Sequence, residues 1–317
     1  MYKLGIDLGG TNIAVGVVDE NYNIVGRGKV KTNCPRPADQ IVDDMVKACH
    51  MAMEDAGITI DQVDGAGVGS PGAIDSKNGV VVQAFNLDFF NVPVGQMVRE
   101  RLGVDCFVGN DANAAAYGEY LAGSGKEADS FVMITLGTGV GGGVILENKM
   151  LVGCNYAGAE LGHIAIREGG EQCTCGRRGC WEAYASATAL IRQAKVAMKN
   201  NEGSQLWMLC EGNIDAVDGK MVFDAMHAGD ATAKAVVNRY ITYIAEGITD
   251  LINIFQPDIL SIGGGICAQG KVLTDPIEAF LDKNDFARNF KKRTQLRTAT
   301  LGNDAGIIGA AYLGNLK

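Results

Sequence analysis

The sequence predicts an α/β fold made of two related domains, and three observations carry this prediction. The chain has 317 residues, which is more than one typical hydrophobic core requires and indicates about two domains. Segments with the pattern of strands alternate with segments that have the pattern of helices. A strand, a glycine-rich turn and a second strand occur near the N-terminus and again at residues 131–146. We therefore expect two halves with the same architecture.

The first half opens with three predicted strands, at residues 2–8, 13–18 and 24–30. Each is a short apolar run, and tight turns separate the runs, which favours an antiparallel meander. Residues 38–56 follow, and their apolar positions recur with the period of a helix. The prediction for this part of the chain is three strands and then one helix.

Two further strands are predicted at 63–68 and 104–108. The second leads to Asn110 and Asp111, directly before an alanine-rich helix predicted over 112–121. Aspartate is a common N-cap of helices, but a carboxylate at the end of a buried strand can also serve as a general base. The sequence leaves both roles of Asp111 open, and the two roles do not exclude each other.

The second half repeats the pattern of the first. Strands are predicted at 131–136 and 140–146, on either side of the turn Gly137-Thr138-Gly139. The remaining predicted elements are two helices, a strand and a C-terminal helix, over 183–199, 231–254, 259–262 and 304–313. The C-terminal helix is rich in small residues, and we expect it to pack closely and to return to the first domain.

The composition narrows the classes of partner. The net charge at pH 7 is −9, and nucleic-acid binding depends on a basic face that neutralises phosphates, so we expect no nucleic-acid partner. No apolar run is long enough to span a membrane, and Asp7 interrupts the first apolar segment. We expect no membrane partner and a cytoplasmic protein with reduced thiols.

One imidazole and three thiols lie within eighteen residues of each other, at His163, Cys173, Cys175 and Cys180. Four such nitrogen and sulfur donors are a complete ligand set for a structural zinc ion. The alternatives are three unrelated thiols or a disulfide between two of them. The other six of the nine cysteines occur singly, so the cluster favours zinc.

The two glycine turns predict a phosphate site. Backbone N–H groups at glycines can bind a polyphosphate without much positive charge, and Asp7 at the end of the first strand can hold Mg²⁺ through water. One glycine turn alone most often only connects two strands. Two such turns at corresponding places in a repeated unit are stronger evidence. Gly264 and Gly265, which follow the strand at 259–262, would let a base and a ribose lie against bare backbone.

These motifs together resemble the ROK family, in which bacterial glucokinases occur. The resemblance covers residues 4–313 and rests on five segments: Asp7-Leu-Gly-Gly-Thr11, Asn110-Asp111, Leu136-Gly-Thr-Gly-Val-Gly-Gly-Gly143, Glu160-Leu-Gly-His163 and Cys173-Thr-Cys-Gly-Arg-Arg-Gly-Cys-Trp-Glu182. It implies a duplicated actin-like ATPase fold of the hexokinase and ribonuclease H-like type, with ATP and sugar in a central cleft. It also implies a smaller N-terminal α/β domain of residues 1–115 plus 303–317. Residues 116–302 would form the larger C-terminal α/β domain, with the zinc loop.

The resemblance implies ATP-dependent glucokinase activity. Asp111 would be the general base that takes the proton from the 6-hydroxyl of glucose as this oxygen attacks the γ-phosphate of ATP. The substrate-binding residues would be Gly72, Asn86, Asn110, Asp111, Glu160, His163 and Glu182. The ATP-binding residues would be Gly9, Gly10, Thr11, Asn12, Gly137, Thr138, Gly139, Gly264 and Gly265. Mg²⁺ would accompany ATP near Asp7, and a structural zinc would fix one ring nitrogen of His163.

Several alternatives remain at this point. The substrate of a ROK kinase could be another hexose or an N-acetylhexosamine, such as fructose or N-acetylmannosamine, and polyphosphate could replace ATP as the donor. A sugar-responsive repressor would carry a DNA-binding module before the first strand, which begins by Leu4. A non-catalytic sugar-binding regulator would leave Asp111 and the paired glycine turns without a purpose. A homodimer or homotetramer is expected from the resemblance alone.

Overall fold

The computed structural model describes residues 1–316. Its strands are β1 (Tyr2–Leu8), β2 (Asn12–Val18), β3 (Ile24–Lys31), β4 (Val63–Ser70), β5 (Ala73–Asp75), β6 (Val80–Ala84), β7 (Phe89–Val92), β8 (Cys106–Asn110), β9 (Phe131–Leu136), β10 (Val140–Leu146), β11 (Lys149–Met150), β12 (Ile259–Gly263) and β13 (Gln295–Thr298). Its α-helices are α1 (Ala38–Ala56), α2 (Val94–Leu102), α3 (Asp111–Ala122), α4 (Glu182–Ala185), α5 (Ala187–Lys199), α6 (Leu206–Leu209), α7 (Gly219–His227), α8 (Ala231–Phe255), α9 (Lys271–Asn284) and α10 (Asp304–Ala311). Lys317, which closes the predicted N-terminal domain, lies outside the described residues.

The first sheet has the strand order β3-β2-β1-β4-β8. β1, β2 and β3 pair antiparallel, so the predicted meander is confirmed. β4 pairs parallel with both β1 and β8, in a register that sets Asp7 beside Gly69 and Ser70 beside Asn110. The carboxyl ends of the three parallel strands therefore lie along one edge of the sheet, and this edge carries Asp7 and Asp111.

Helix α10 packs against this sheet and against α3, and at several glycines the two backbones meet directly. A Cβ atom at Gly118 of α3 would lie 2.0 Å from the backbone oxygen of Ala305, and one at Gly309 of α10 would lie 1.7 Å from that of Ala114. Only glycine allows such an approach of two helices. The expectation that the C-terminal helix packs closely and returns to the first part of the chain is confirmed.

The second sheet has the strand order β11-β10-β9-β12-β13. β9 and β10 are neighbours joined by the turn at residues 137–139, as β1 and β2 are joined by the turn at residues 9–11. The predicted repetition of strand, glycine turn and strand is therefore confirmed. A third sheet, β5-β6-β7, was not predicted, because exposed apolar side chains such as Val82 and Phe90 hide the alternation of a half-buried strand.

The helix predicted over 183–199 is two helices, α4 and α5, and the prediction of one helix is wrong. Ser186 lies between them in an extended conformation, and its hydroxyl accepts a hydrogen bond of 3.1 Å from the N–H of Ala189. This is the geometry of an N-cap, which starts a new helix. The apolar period continues across the break, so periodicity alone does not reveal it.

The described chain forms two compact units. The first contains Met1–Met133, Gly142–Ala159 and the described residues from Ala299 onward, and the second contains Ile134–Gly141 and Glu160–Thr298. The boundary predicted after residue 115 falls inside α3, which belongs to the first unit along its whole length. Across residues 1–316, no helix is long and apolar enough to cross a membrane.

Candidate active site

Asn110 and Asp111 occupy the junction between β8 and α3 in the first unit. The Asn110 side chain is the N-cap of α3, and its Oδ1 accepts hydrogen bonds from the N–H groups of Ala112 and Asn113 at 2.9 and 3.2 Å. Its Nδ2 donates to the carbonyl oxygen of Gly72 at 3.2 Å. The capping role that the sequence left open for Asp111 thus belongs to its neighbour. The carboxylate of Asp111 accepts a hydrogen bond from the N–H of Ala112 at 2.8 Å.

The negative charge of Asp111 acts on the carboxyl group of Asp7. Burial raises the pKa of Asp111, while the hydrogen bond from Ala112 opposes this effect. Burial and the negative charge of Asp111 raise the pKa of Asp7 to about 6. Two carboxylates in a poorly solvated place favour binding of a cation or a proton between them. The pair is therefore suited to a metal ion at Asp7 and a proton acceptor at Asp111.

The first glycine turn borders a cavity of about 570 Å³ in the first unit. The cavity is lined by Asp7, the turn, and the side chains of Arg27 and Lys29 on the neighbouring strand. Arg27 is engaged in an ion pair with Asp304 at 2.7 Å. Lys29 is a further cation close to the turn, and it lies outside the predicted motifs.

Asn86 and Gly72 lie near the same turn and the same strand ends. A Cβ atom at Gly10 would lie 3.3 Å from Nδ2 of Asn86, which places this amide beside the turn. Gly72 has a φ of +96°, and a Cβ atom there would lie 2.0 Å from the backbone oxygen of Gln83. Position 72 therefore requires glycine, and its carbonyl oxygen is the one that accepts from Asn110.

The second glycine turn lies between β9 and β10, with Gly264 and Gly265 beside it in the second unit. Gly264 has a φ of +94°, and a Cβ atom there would lie 2.3 Å from the carbonyl oxygen of Leu136. A Cβ atom at Gly265 would meet no atom within 4 Å. The surface next to the turn is thus bare backbone.

The predicted zinc ligands come together in the second unit. One ligand atom from each of His163, Cys173, Cys175 and Cys180 lies within 4.8 Å of the other three. The Sγ of Cys173 is 3.6 Å from Nδ1 of His163, and the sulfurs of Cys175 and Cys180 are also 3.6 Å apart. All three cysteines are free, so the alternative of a disulfide does not apply. One imidazole and three thiols at this spacing fit a closed tetrahedral zinc site.

Glu182 lies between the predicted zinc ligands and the second glycine turn. Its Oε2 accepts from the N–H of Val140 at 3.0 Å, and its Oε1 accepts from the hydroxyl of Thr174 at 3.2 Å. Glu160 is exposed, and its carbonyl oxygen accepts from the N–H of His163 at 3.0 Å. The Nδ1 atom of His163 faces Cys173, so its Nε2 atom is the ring nitrogen left for another partner.

Comparison with known proteins shows to which family the chain belongs. A family model described as ROK family matches residues 3–316. The chain belongs to the ROK family. It is 38% identical to the glucokinase of Streptomyces coelicolor over 312 residues, which are 98% of this chain and 96% of that relative. The glucokinase of Thermotoga maritima is 36% identical over the same coverage.

A solved structure of another ROK protein matches the whole fold. It is the ROK family glucokinase from Streptomyces griseus in complex with glucose and AMPPNP, which has 38% sequence identity and a TM-score of 0.81 and covers 99% of both chains. The family and the α/β fold predicted from the sequence are therefore confirmed.

Each unit of this ROK chain gathers one group of the predicted site residues. The first unit brings together the residues of the first turn and the strand ends: Asp7, Gly9, Gly10, Thr11, Asn12, Gly72, Asn86, Asn110 and Asp111. The second unit brings together the second turn and the zinc loop: Gly137, Thr138, Gly139, Glu160, His163, Cys173, Cys175, Cys180, Glu182, Gly264 and Gly265. The roles of these residues stay predictions.

The residues that hold the two turns lie outside the predicted motifs of this ROK chain. Thr32 and Cys34 contact the first turn, and Thr188 contacts the second. Each acts on a backbone oxygen that is more than twenty residues away in the chain. No local pattern marks such a contact, so the sequence carries no signal for it.

Proposed function

We propose that this chain is an ATP-dependent glucokinase that transfers the γ-phosphate of ATP to the 6-hydroxyl of glucose. The prediction of a sugar kinase is confirmed by the glucokinase relatives and by the likeness to the glucose- and AMPPNP-bound ROK structure. The observation that carries the chemical proposal is the Asp111 carboxylate. It lies directly after β8, on the edge of the sheet that also carries Asp7. Its pKa is raised, and its neighbour Asn110 is the N-cap of the helix.

Asp111 accepts the proton of the 6-hydroxyl as this oxygen attacks phosphorus. A base works best when its pKa approaches the working pH, and burial moves the pKa of Asp111 in that direction. Asn110 fixes the start of α3 and therefore the position of the next residue, Asp111. Because phosphoryl transfer depends mainly on alignment and charge stabilisation, a rigid strand end is a suitable place for the base.

Each glycine turn offers N–H groups to phosphate oxygens, and Gly264 and Gly265 offer bare backbone to a base and a ribose. Mg²⁺ held through water by Asp7 would neutralise the charge that moves between the phosphates during transfer. Asp7 suits this task because its carboxylate is destabilised by burial and by the charge of Asp111.

His163, Cys173, Cys175 and Cys180 would hold a structural zinc ion. Four protein ligands leave no open coordination position, so the ion would order the loop and take no part in the chemistry. The loop presents Nε2 of His163 and the carboxylates of Glu160 and Glu182 to the sugar hydroxyls. Oε1 of Glu182 is already a hydrogen-bond acceptor for Thr174, so its orientation depends on the order of this loop.

A coupled ADP-release assay with Mg-ATP tests the proposal. We expect glucose to be preferred over mannose, fructose, N-acetylglucosamine and N-acetylmannosamine in kcat/KM. A preference for an acetamido sugar or for fructose would replace the substrate and keep the chemistry of Asp111. Turnover with none of these sugars, with either ATP or polyphosphate as donor, would favour a sugar-binding regulator. Homodimers or homotetramers remain an expectation, which light scattering tests.

A further inference from the structure

The three carbonyl groups of the first glycine turn all accept hydrogen bonds from the segment that follows β3. The hydroxyl of Thr32 donates to the carbonyl oxygen of Gly9 at 2.6 Å, and the N–H of Thr32 donates to that of Thr11 at 3.0 Å. The thiol of Cys34 donates to the carbonyl oxygen of Gly10 at 2.8 Å. Within residues 1–316, the N–H groups of Gly10 and Thr11 have no acceptor.

The second turn has the same arrangement, built from different elements. The hydroxyl of Thr188 in α5 donates to the carbonyl oxygen of Thr138 at 2.8 Å. The N–H of Ala187 donates to that of Gly137 at 2.8 Å, and the N–H of Gly137 donates to the carbonyl oxygen of Gly139 at 3.0 Å. In the described part of the chain, the N–H groups of Thr138 and Gly139 are likewise left without an acceptor.

The arrangement shared by the two turns favours the binding of phosphate for an electrostatic reason. A carbonyl oxygen carries partial negative charge and repels a phosphate oxygen, whereas a backbone N–H attracts it. A glycine turn can rotate its peptide groups easily, because it lacks Cβ atoms that restrict it. Donors that engage the carbonyl oxygens select the one orientation in which the N–H groups of the turn stay available.

We propose that Thr32 and Thr188 are positioning residues, whose hydroxyl groups hold the two glycine turns with their N–H groups free to bind the phosphates of the nucleotide. This inference rests on the proposed function, because it takes the two turns as the phosphate site. Both residues act through backbone atoms of the turns and do not need to touch the substrate. Each turn is held by its own unit of the chain, so the two hydroxyls can be tested independently.

Thr32 and Thr188 differ in solvent exposure, so their valine variants should lose nucleotide affinity to different extents. Thr32 is fully buried, so removal of its hydroxyl leaves the carbonyl oxygen of Gly9 without a donor and without water. Thr188 is exposed, and water can replace its hydroxyl in the bond to Thr138. The loss of nucleotide affinity should therefore be larger for Thr32→Val than for Thr188→Val.

Calorimetric titration with Mg-AMPPNP tests the proposal directly, since it does not depend on turnover. We expect the Kd to rise about two- to tenfold in Thr32→Val and up to about threefold in Thr188→Val, while Thr32→Ser and Thr188→Ser stay near the wild type. The Kd for glucose should not change in any of the four variants. If Thr32→Val does not fold, Cys34→Ala removes another donor from the same turn and should weaken AMPPNP binding.

Two threonines of α8 provide matched controls. Thr249 is buried and donates its hydroxyl to the carbonyl oxygen of Ala245, and Thr242 is exposed and donates to that of Asn238. Their valine variants lose the same type of bond away from both turns, so AMPPNP binding should be unchanged. Unchanged AMPPNP affinity in Thr32→Val and Thr188→Val would overturn the inference, as would equal losses of AMPPNP and glucose affinity. A wild-type protein that binds no nucleotide would overturn the proposed function itself.

Discussion

Asp7 and Asp111 are two acidic residues of the first unit whose carboxyl groups interact. Burial and the charge of Asp111 together raise the pKa of Asp7 to about 6. Their proximity follows from the pairing of β1, β4 and β8, which aligns the carboxyl ends of these strands. Two nearby buried carboxylates lower the stability of the folded state when no proton or cation compensates their charge.

The Asp7→Asn variant should be more stable than the wild type at pH 7.5 in magnesium-free buffer. The pKa of Asp7 is raised in the folded state, from 3.8 to about 6, so the folded state binds the proton more tightly than the unfolded state. The stabilisation from this proton is complete below pH 3.8 and is lost as the pH rises through 6. At pH 7.5 the loss amounts to at most about 3 kcal/mol, which the amide avoids.

Thermal unfolding at pH 4, 5.5 and 7.5 measures this effect. The difference in Tm between Asp7→Asn and the wild type should be positive at pH 7.5 and should shrink toward pH 4. The Asp7→Asn variant should also lose turnover. The exposed Asp61 supplies the control variant Asp61→Asn, in which no such trend is expected. A destabilisation that is the same at every pH would contradict the interaction between the two carboxyl groups.

The Asp111→Asn variant should separate catalysis from binding. Loss of a general base lowers turnover by about 10²–10⁴-fold, but the amide keeps the shape of the carboxylate. We expect kcat to fall by this factor while the Kd for glucose, measured by titration calorimetry, changes by less than about threefold. Asp224→Asn, on the exposed side of α7, is the control. Parallel loss of turnover and glucose affinity would mean that Asp111 has a structural role.

The Cys175→Ser variant should lose zinc and weaken sugar binding much more than nucleotide binding. A serine hydroxyl is a poor replacement for a thiolate ligand of zinc, and the loop that carries His163 and Glu182 depends on the ion. Elemental analysis gives the zinc content, and calorimetry gives the Kd for glucose and for Mg-AMPPNP. Cys154→Ser changes an exposed cysteine outside the cluster and should leave all three values unchanged. Normal zinc content together with normal glucose affinity in Cys175→Ser would exclude it as a ligand.

Glu119 should be a determinant of stability, although no motif marks it. Its carboxylate is fully buried in α3 and accepts hydrogen bonds from the N–H groups of Ser124, Thr300 and Leu301 at 2.7 to 2.8 Å. Glutamine would turn an NH₂ group toward at least one of these donors. We expect Glu119→Gln to lower the free energy of unfolding by about 1–3 kcal/mol, measured with urea.

The exposed Glu100 of α2 provides the comparison for Glu119. It accepts a hydrogen bond from Gln96 at 2.8 Å, and Glu100→Gln should change the free energy of unfolding by less than about 0.5 kcal/mol. Equal effects of the two substitutions would mean that the buried hydrogen bonds of Glu119 contribute nothing beyond those of a surface carboxylate.

The parts of the fold that the sequence predicted well are those with local signals. The bounds of β1, α1, β9 and β10 agree with the prediction because apolar periodicity and glycine turns mark them. The clustering of His163, Cys173, Cys175 and Cys180 was also predictable, since cysteine clusters are rare, and their role as zinc ligands stays a prediction. Strand β13 was not, because its residues Gln295, Leu296, Arg297 and Thr298 are mostly polar.

Some features of the candidate site could not be predicted, because no local sequence signal marks them. The sequence could not divide the roles of Asn110 and Asp111, because either residue can cap a helix. The structure shows that Asn110 is the cap, because its Oδ1 accepts hydrogen bonds from the N–H groups of Ala112 and Asn113. The contacts of Thr32 and Glu119 join residues far apart in the chain, so they depend on the completed fold.

The close contacts of α10 affect the order in which the chain can fold during synthesis. A Cβ atom at Gly5 of β1 or at Gly67 of β4 would lie 1.9 Å from a backbone oxygen of α10, so this helix covers the first sheet directly. The ribosome completes α3 at Ala122 but reaches Asp304 only after the intervening residues, at a rate of about 5–20 residues per second. For roughly 10–40 s the nascent first unit therefore exposes an apolar face. Chaperone contact with the nascent chain is expected during this interval.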